Sequence, residues 1–179
     1  MLQPMFEIIM ATIFSGIAIK LMDDALDREL DVACSRFNWA EVLGPGTIAY
    51  AAVSLAIAAA INSPISLTLF FASYSIGMFN NLKQVLPTKL YGWQESVIII
   101  LAGTIFFSWE YMAFSLLFIM AVQLFDDFVD CKSDIIAGQR NFAVKFGRAE
   151  CALFCCILLL LALQIAGAAI LLPVFAGTV

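Results

Sequence analysis

One nine-residue string occurs twice in this chain and constrains its fold more than any other feature. Residues 23–31 read DDALDRELD and residues 126–134 read DDFVDCKSD, so both copies follow the pattern Asp-Asp-x-x-Asp-x-x-x-Asp. The second copy lies 103 residues after the first, and each follows a long apolar run. Because positions i, i+3 and i+7 share one face of an α-helix, each copy is predicted to project a column of carboxylates in one direction. Two such columns facing each other would suit a divalent cation.

The composition is that of an integral membrane protein. Hydrophobic residues make up 63% of the chain, charged residues 13%, and the mean hydropathy is +0.99. The net charge of −5 comes largely from the eight aspartates of the two strings, so it describes a candidate site and predicts no nucleic-acid partner. Histidine, the usual general base and commonest metal ligand, does not occur. The five cysteines lack zinc-type spacing and are predicted to be structural.

The apolar runs predict an all-α integral membrane protein, a bundle of about six transmembrane helices in a single domain over residues 1–179. The candidate spans are residues 5–24, 46–62, 65–81, 93–109, 111–125 and 149–174. Breakers separate the early spans, namely Gly44-Pro45-Gly46 and Asn62-Ser63-Pro64. A helical bundle is favoured because backbone polar groups in lipid must be satisfied within each segment.

The basic residues predict the orientation of these spans. All nine Lys and Arg residues fall at or near the loops that join spans 1 to 2, 3 to 4 and 5 to 6. By the positive-inside rule these loops are cytoplasmic, which places both termini outside the cell membrane. Both aspartate strings are therefore expected to open toward the cytosol.

Acidic residues at a membrane surface are costly and indicate function. Carboxylate oxygens are hard ligands, and Mg²⁺ takes one or two of them while it keeps several waters and binds substrate phosphate oxygens. Carboxylates on two helices therefore suggest a clamp that holds a diphosphate through Mg²⁺. Three basic residues in the same loops, Lys83, Arg140 and Lys145, suit the phosphate charge that remains after the metal has bound.

At these residues the chain resembles the UbiA superfamily of intramembrane prenyltransferases. The strings DDALDRELD and DDFVDCKSDIIAGQRNFAVKFG are similar to the two aspartate-rich motifs of that family, and the second carries the family's tail. The tail residues are Gly138, Arg140, Ala143 and Gly147. A third stretch, YSIGMFNNLKQVLPTKLYG, resembles the family segment that runs from a tyrosine, here Tyr74, to a lysine, here Lys83. The resemblance covers roughly residues 5–172.

The resemblance implies a helical bundle around a lipid-facing cavity, in which both motifs bind the diphosphate of an isoprenoid donor through Mg²⁺. It assigns Asp24, Asp27 and Asp31 to the first metal site, and Asp127, Asp130 and Asp134 to the second. The catalytic residues would be Asp24, Asp27, Asp127 and Asp130. The substrate-binding residues would be Lys83 and Arg140 at the diphosphate, together with Tyr74, Lys145 and Asp23.

The chain departs from the family pattern in three ways. Asp23 stands where the family has Asn, and Asn141 stands where it has Thr or Ser. Six predicted spans replace the usual nine, so one helix before the first motif and about two after the second are missing. A homodimer would supply the missing part of the lipid-facing wall.

The predicted function is Mg²⁺-dependent transfer of a prenyl group from an isoprenyl diphosphate to an aromatic or lipid acceptor. Two alternatives within the superfamily are a membrane terpene cyclase and a shortened, non-catalytic homologue. A phosphatidyl-type alcohol transferase is disfavoured, because Arg28 and Cys131 stand where its motif has Gly. A cation carrier is disfavoured because it would place acids near the bilayer midplane rather than at helix ends.

Overall fold

Helices make up nearly all of the structure. The computed structural model describes residues 2–33, 37–77, 82–138 and 141–167. Over these ranges the only strand-like feature is an isolated bridge between Val85 and Tyr91, in the loop that precedes a helix. The prediction of an all-α fold is therefore confirmed for the part of the chain that is described.

The helices are as follows, in chain order. The first six are α1 (Leu2–Leu26), α2 (Arg28–Ala33), α3 (Trp39–Leu43), a 3₁₀ turn (Gly44–Gly46), α4 (Thr47–Ile61) and α5 (Ser63–Gly77). They are followed by α6 (Gly92–Phe107), α7 (Trp109–Ala137), α8 (Phe142–Phe146) and α9 (Arg148–Ile165). The first aspartate string begins in the last turn of α1 and continues into α2, and the second lies in the C-terminal part of α7.

Four segments of the described chain are long and apolar enough to cross a membrane. They are Met5–Leu26, Trp39–Ile61, Trp109–Lys132 and Arg148–Ile165. The chain is therefore a helical membrane protein, as predicted. The predicted third and fourth spans correspond to α5 and α6, which have 15 and 16 residues and fall short of that length. The predicted ends of the third and sixth spans, residues 78–81 and 168–174, lie outside the described residues.

The chain divides into two compact units, Met1–Phe70 and Phe71–Val179. In the first unit α1 packs against α4 through faces of small buried residues. These are Ala11, Ser15 and Ala18 on α1, and Ala51, Ser54 and Ala58 on α4. The Ser54 hydroxyl donates to the Phe14 carbonyl oxygen across the two helices, at 2.8 Å. Small residues allow close approach of helices where no hydrophobic effect drives association.

In the second unit α7 packs against α9 and the short helix α8. Its core contains Ala121, Leu124, Cys131, Ala143, Cys151, Cys155 and Leu158. The thiol of Cys151 donates to the Leu124 carbonyl oxygen at 3.1 Å, and that of Cys155 donates to the Ala121 carbonyl oxygen at 3.3 Å. These cysteines are packed and free of disulfides, as the sequence predicts. Cys34 lies outside the described residues.

Candidate functional site

The first aspartate string crosses a slight break in the helix. Helix α1 ends at Leu26, Asp27 occupies a bend, and α2 begins at Arg28. Backbone hydrogen bonds of 2.9 Å from Asp27 N–H to the Asp23 carbonyl and from Asp31 N–H to the Asp27 carbonyl carry the helical repeat across the bend. Asp24 and Asp31, seven residues apart, therefore lie two turns apart on one face.

The second string lies inside one continuous helix. Helix α7 runs without a break from Trp109 to Ala137, so Asp127 and Asp134 also lie two turns apart on one face. The helix ends at Gly138, whose φ of 71° is left-handed and whose N–H donates to the carbonyl oxygens of Asp134 and Ile135. Glycine is the usual residue at this position of a helix C-terminus because it has no Cβ to strain.

A single asparagine ties the first string to the segment that follows it. The Asn38 side-chain amide donates to the Asp24 carbonyl oxygen and to Oδ2 of Asp31, both at 2.8 Å. Its Oδ1 accepts from the N–H of Ala40 at 2.7 Å, which caps the N-terminus of α3. The N–H of Trp39 donates to Oδ2 of Asp24 at 3.0 Å. We call the set Asp24, Asp31 and Asn38 the first asparagine latch.

The second string carries the same arrangement. The Asn141 amide donates to Oδ2 of Asp134 at 2.5 Å and to the Asp127 carbonyl oxygen at 3.4 Å. Its Oδ1 accepts from the N–H of Val144 at 2.8 Å, which caps α8. The N–H of Phe142 donates to Oδ2 of Asp127 at 2.9 Å. We call the set Asp127, Asp134 and Asn141 the second asparagine latch.

The repeat is therefore longer than the two aspartate strings. At the same offset of 103 residues, Asn38 corresponds to Asn141, Trp39 to Phe142, Ala40 to Ala143 and Gly44 to Gly147. The extended pattern is Asp-x₆-Asp-x₆-Asn-aromatic-Ala-x₃-Gly. The part of the pattern after Asp31 and Asp134 was not predicted from the sequence, although the constant offset of 103 residues continues through it.

The two glycines that end the repeat have backbone conformations that favour glycine. Gly44 has φ 59° and ψ −144°, and Gly147 has φ 111° and ψ 152°. Residues with a Cβ are strained in this region of φ and ψ. Each glycine ends the short helix that begins at the latch asparagine, and each precedes the turn into the next membrane helix.

The aspartates of the two strings differ in burial and in hydrogen bonding. Asp24 and Asp134 are buried, at 2% and 6% exposed, and Asp31, Asp127 and Asp130 are partly buried. Asp27 is exposed, as are Asp23 and Asp126, which begin the strings. The latch hydrogen bonds involve the first and the last of the three predicted metal aspartates of each string. The expectation that all three share one direction stays a prediction.

One ion pair distinguishes the first string. The Lys20 ammonium lies 2.9 Å from Oδ1 of Asp24, one helical turn earlier, so the two oxygens of this carboxylate have different partners. The corresponding residue in the second copy is Gln123, which carries no charge. Lys20 also lines an apolar groove of about 590 Å³ on the first unit. The other lining residues are Ile13, Gly16, Ile17 and Leu21 of α1, and Trp39 and Leu43 of α3.

The predicted substrate-binding residues are distributed as follows. The Tyr74 hydroxyl donates to Oε2 of the buried Glu95, whose Oε1 accepts from the Thr88 hydroxyl. This contact, which the sequence analysis did not predict, ties α5 and the 82–91 loop to the start of α6. Lys83 is exposed in that loop. Lys145 is exposed on α8 with its ammonium 5.0 Å from the centre of the Phe146 ring, and Arg140 lies outside the described residues.

The carboxylates fit Mg²⁺ by their chemistry. They are hard oxygen donors, and Mg²⁺ requires only one or two protein carboxylates when phosphate and water complete its coordination. Among the described residues no group of three or more Asp, Glu or Cys side chains is gathered closely enough to hold a metal ion. In each string the latch holds two of the three predicted metal aspartates by hydrogen bonds, and Asp27 or Asp130 lies between them in the sequence.

Comparison with known proteins adds no relative to this picture. No protein-family model, no curated protein and no solved structure matches the chain.

Proposed function

We propose that this chain is a Mg²⁺-dependent intramembrane prenyltransferase of the UbiA type, which ionises an isoprenyl diphosphate and transfers the prenyl group to an aromatic or lipid acceptor. The observation that carries the proposal is the pair of latched aspartate strings. Each string lies in the C-terminal part of a helical segment long enough to span a membrane, and in each string hydrogen bonds of the latch hold two carboxylates. Solvated charge at the end of a span would not require the same hydrogen bonds twice.

The proposed chemistry uses the aspartates of the two strings and three basic residues of the predicted cytoplasmic loops. Mg²⁺ bound by the aspartates would supply the positive charge that stabilises a leaving diphosphate. The proposed metal residues are Asp24, Asp27, Asp31, Asp127, Asp130 and Asp134. Lys83, Arg140 and Lys145 add cationic side chains for the diphosphate oxygens, an electrostatic contribution that is often the largest in catalysis. The apolar helices exclude water, which would otherwise capture the allylic cation.

The proposal includes the arrangement in the membrane. The four long spans and the shorter α5 and α6 would form a six-helix bundle, with the string-bearing loops in the cytosol and both termini outside. A second copy of the chain would complete the lipid-facing wall. Labelling of Cys34 by an impermeant maleimide tests the orientation, because the proposal requires reaction in inside-out vesicles and none in sealed cells. The reverse pattern contradicts the orientation.

The activity itself is tested on purified protein with Mg²⁺ and geranyl, farnesyl or geranylgeranyl diphosphate. We expect diphosphate release that a chelator stops. Asp27→Ala and Asp130→Ala should each lower the rate by about 100-fold or more, since each removes one source of charge stabilisation. The matched control is Glu29→Ala, which removes an exposed carboxylate from the same string but lies outside the proposed metal set.

Mass spectrometry of the products, with and without aromatic acceptors, separates the two enzymatic outcomes. A prenylated acceptor supports transfer, whereas a cyclic hydrocarbon or alcohol formed without acceptor identifies a terpene cyclase. If Asp27→Ala and Asp130→Ala release diphosphate as fast as the unmodified chain does, the metal-clamp proposal is wrong.

A further inference from the structure

Each latch depends on an amide that donates and accepts at the same time. Asn38 uses its N–H groups on a carbonyl and a carboxylate of the first string, and its oxygen on the N-terminus of α3. A hydroxyl has one donor, and a carboxylate has none, so Ser, Thr and Asp reproduce only part of this pattern. Asn38 is also 1% exposed, which excludes solvent as a substitute for these partners.

Helix capping alone does not explain the arrangement. An N-cap residue needs only an acceptor for the first N–H groups of the helix, and Asp, Ser or Thr serve as well as Asn. Asn62 in this chain has that simple role, since its Oδ1 accepts from the N–H of Ile65 at the start of α5. Asn38 and Asn141 also cap helices, through the N–H of Ala40 two residues on and that of Val144 three residues on. Each in addition donates to a string carboxylate seven residues earlier.

The hydrogen bond from the asparagine to the last string aspartate occurs in both of the separately packed units. The two latches share the donor atom, the acceptor Oδ2 and the spacing of seven residues. The surrounding residues differ, because Trp39, Glu41 and Val42 in the first copy are replaced by Phe142, Val144 and Lys145 in the second. The asparagine and its aspartate are therefore retained while their neighbours change.

We propose that Asn38 and Asn141 are positioning residues of the two candidate metal half-sites. Each donates an N–H to the last aspartate of its string, Asp31 or Asp134, and so sets which carboxylate oxygen faces away from the latch. Hydrogen bonds from outside the metal shell orient ligating carboxylates in this way, and their loss typically lowers metal affinity by about 10- to 100-fold. The inference rests on the proposed function, because it assigns these aspartates to metal binding.

The test measures binding of Mn²⁺ alone to the detergent-solubilised full chain by electron paramagnetic resonance, together with thermal unfolding. Asn38→Ser and Asn141→Ser keep an acceptor for the helix N–H but are too short to hold the string carboxylate. We expect each to lower Mn²⁺ affinity by about 10-fold or more. Asn62→Ser is the matched control, because it alters an asparagine cap distant in sequence from both strings, and should leave Mn²⁺ affinity unchanged.

A second variant separates positioning from folding. Asp31→Asn can still accept the Asn38 N–H, but it no longer offers a carboxylate to the metal. If Asn38 acts through Asp31, Asn38→Ser should lower Mn²⁺ affinity in the unmodified chain and have no further effect in Asp31→Asn. Additive losses of affinity in the double variant would overturn the positioning role of Asn38.

The outcomes keep this inference apart from the proposed function. Wild-type Mn²⁺ affinity in Asn38→Ser and Asn141→Ser, with binding lost in Asp27→Ala and Asp130→Ala, overturns the positioning role and leaves the metal clamp intact. No Mn²⁺ binding by the unmodified chain overturns both. If the Ser variants fail to fold, Asn38→Thr and Asn141→Thr carry the same test, because threonine also caps a helix and is too short to hold the string carboxylate.

Discussion

The two copies of the latch share the hydrogen bonds to the string aspartates and differ in the helix and in the charges beside them. In the first unit the helix bends at Asp27, and Lys20 pairs with Asp24. In the second unit α7 continues unbroken through the string, and Gln123 stands in place of Lys20. A helix break, and a lysine one turn before the first latched aspartate, are therefore not required to place the first and last aspartates of a string. The shared requirement is the spacing of seven residues and the asparagine that follows.

The copies also differ in the surface beside the latch. Gly16 lines the apolar groove of the first unit, and a Cβ there would meet no atom within 4 Å. The corresponding residue of the second copy is Ile119, a bulky side chain on the same register of α7. The first unit therefore has open space next to Gly16 on α1, at the position where the second unit has the side chain of Ile119 on α7.

The largest expected effect on stability comes from removing the latch asparagines. Asn38→Ala should lower the free energy of unfolding by about 3 kcal/mol, because a buried cap and a hydrogen bond to a carboxylate are lost together. Asn141→Ala should cost about half as much, since Asn141 is half-exposed and water can replace part of the contact. Denaturant titration in detergent measures both. Equal losses of stability in the two variants would show that the deeper burial of Asn38 does not strengthen its hydrogen bonds relative to those of Asn141.

The next effect concerns the glycines that end the repeat. Gly147→Ala and Gly44→Ala should each lower the free energy of unfolding by about 2 kcal/mol, because φ 111° with ψ 152° and φ 59° with ψ −144° are both strained for a residue with a Cβ. The Cβ added at Gly147 would meet the end of the exposed Glu150 side chain, which can rotate away. The same titration measures both losses. A loss for Gly147→Ala that is larger by several kcal/mol would show that the Glu150 side chain cannot move aside.

A smaller effect tests the ion pair between Lys20 and Asp24, since the second copy has the uncharged Gln123 at the position of Lys20. Lys20→Met should lower the free energy of unfolding by about 0.5 kcal/mol, because Lys20 is 63% exposed and solvent screens the pair. Gln123→Met, at the matching position of α7, is the control and should have no comparable effect. A loss of several kcal/mol in Lys20→Met would mean that the ion pair, rather than the latch, holds Asp24.

The smallest effect concerns Gly16, which corresponds to Ile119 in the second copy. Gly16→Ile makes the first copy resemble the second, and should raise the free energy of unfolding by about 0.5 kcal/mol, because isoleucine favours helix more than glycine does. Thermal unfolding in detergent measures the change. Destabilisation by Gly16→Ile would show that the space along α1 is narrower than the structure indicates.

The features predictable from sequence were those that depend on local spacing. The membrane class follows from the apolar runs, and α1 and α7 were expected because each run leads directly into a string. The count of six spans stays a prediction, since four described segments have the length and composition to cross a membrane and α5 and α6 are shorter. The helical form of the second string, expected from its spacing, is confirmed, because α7 continues to Ala137. The apolar segment of α7 extends to Lys132, beyond the predicted end of the fifth span at residue 125.

The candidate site was predictable only in part. Its residue types could be read from the sequence, and the placement of Asp24 and Asp31 on one helix face follows from helical periodicity. The role of Asn38 does not, because its carbonyl partner lies 14 residues earlier and is reached only when the chain folds back. The same is true of Glu95, whose contact with Tyr74 spans 21 residues. A longer comparison of the two copies would have identified the asparagines, but not the atoms that they contact.

The sequence by itself determined that this is a helical membrane protein with two equivalent aspartate strings, because hydropathy and a seven-residue spacing act over one or two helical turns. Only the tertiary structure decided which carboxylates of each string are hydrogen-bonded to the rest of the protein. That depends on where the chain returns after each string. The asparagine of the following segment binds the last aspartate, Asp31 or Asp134, and the next backbone N–H binds the first, Asp24 or Asp127.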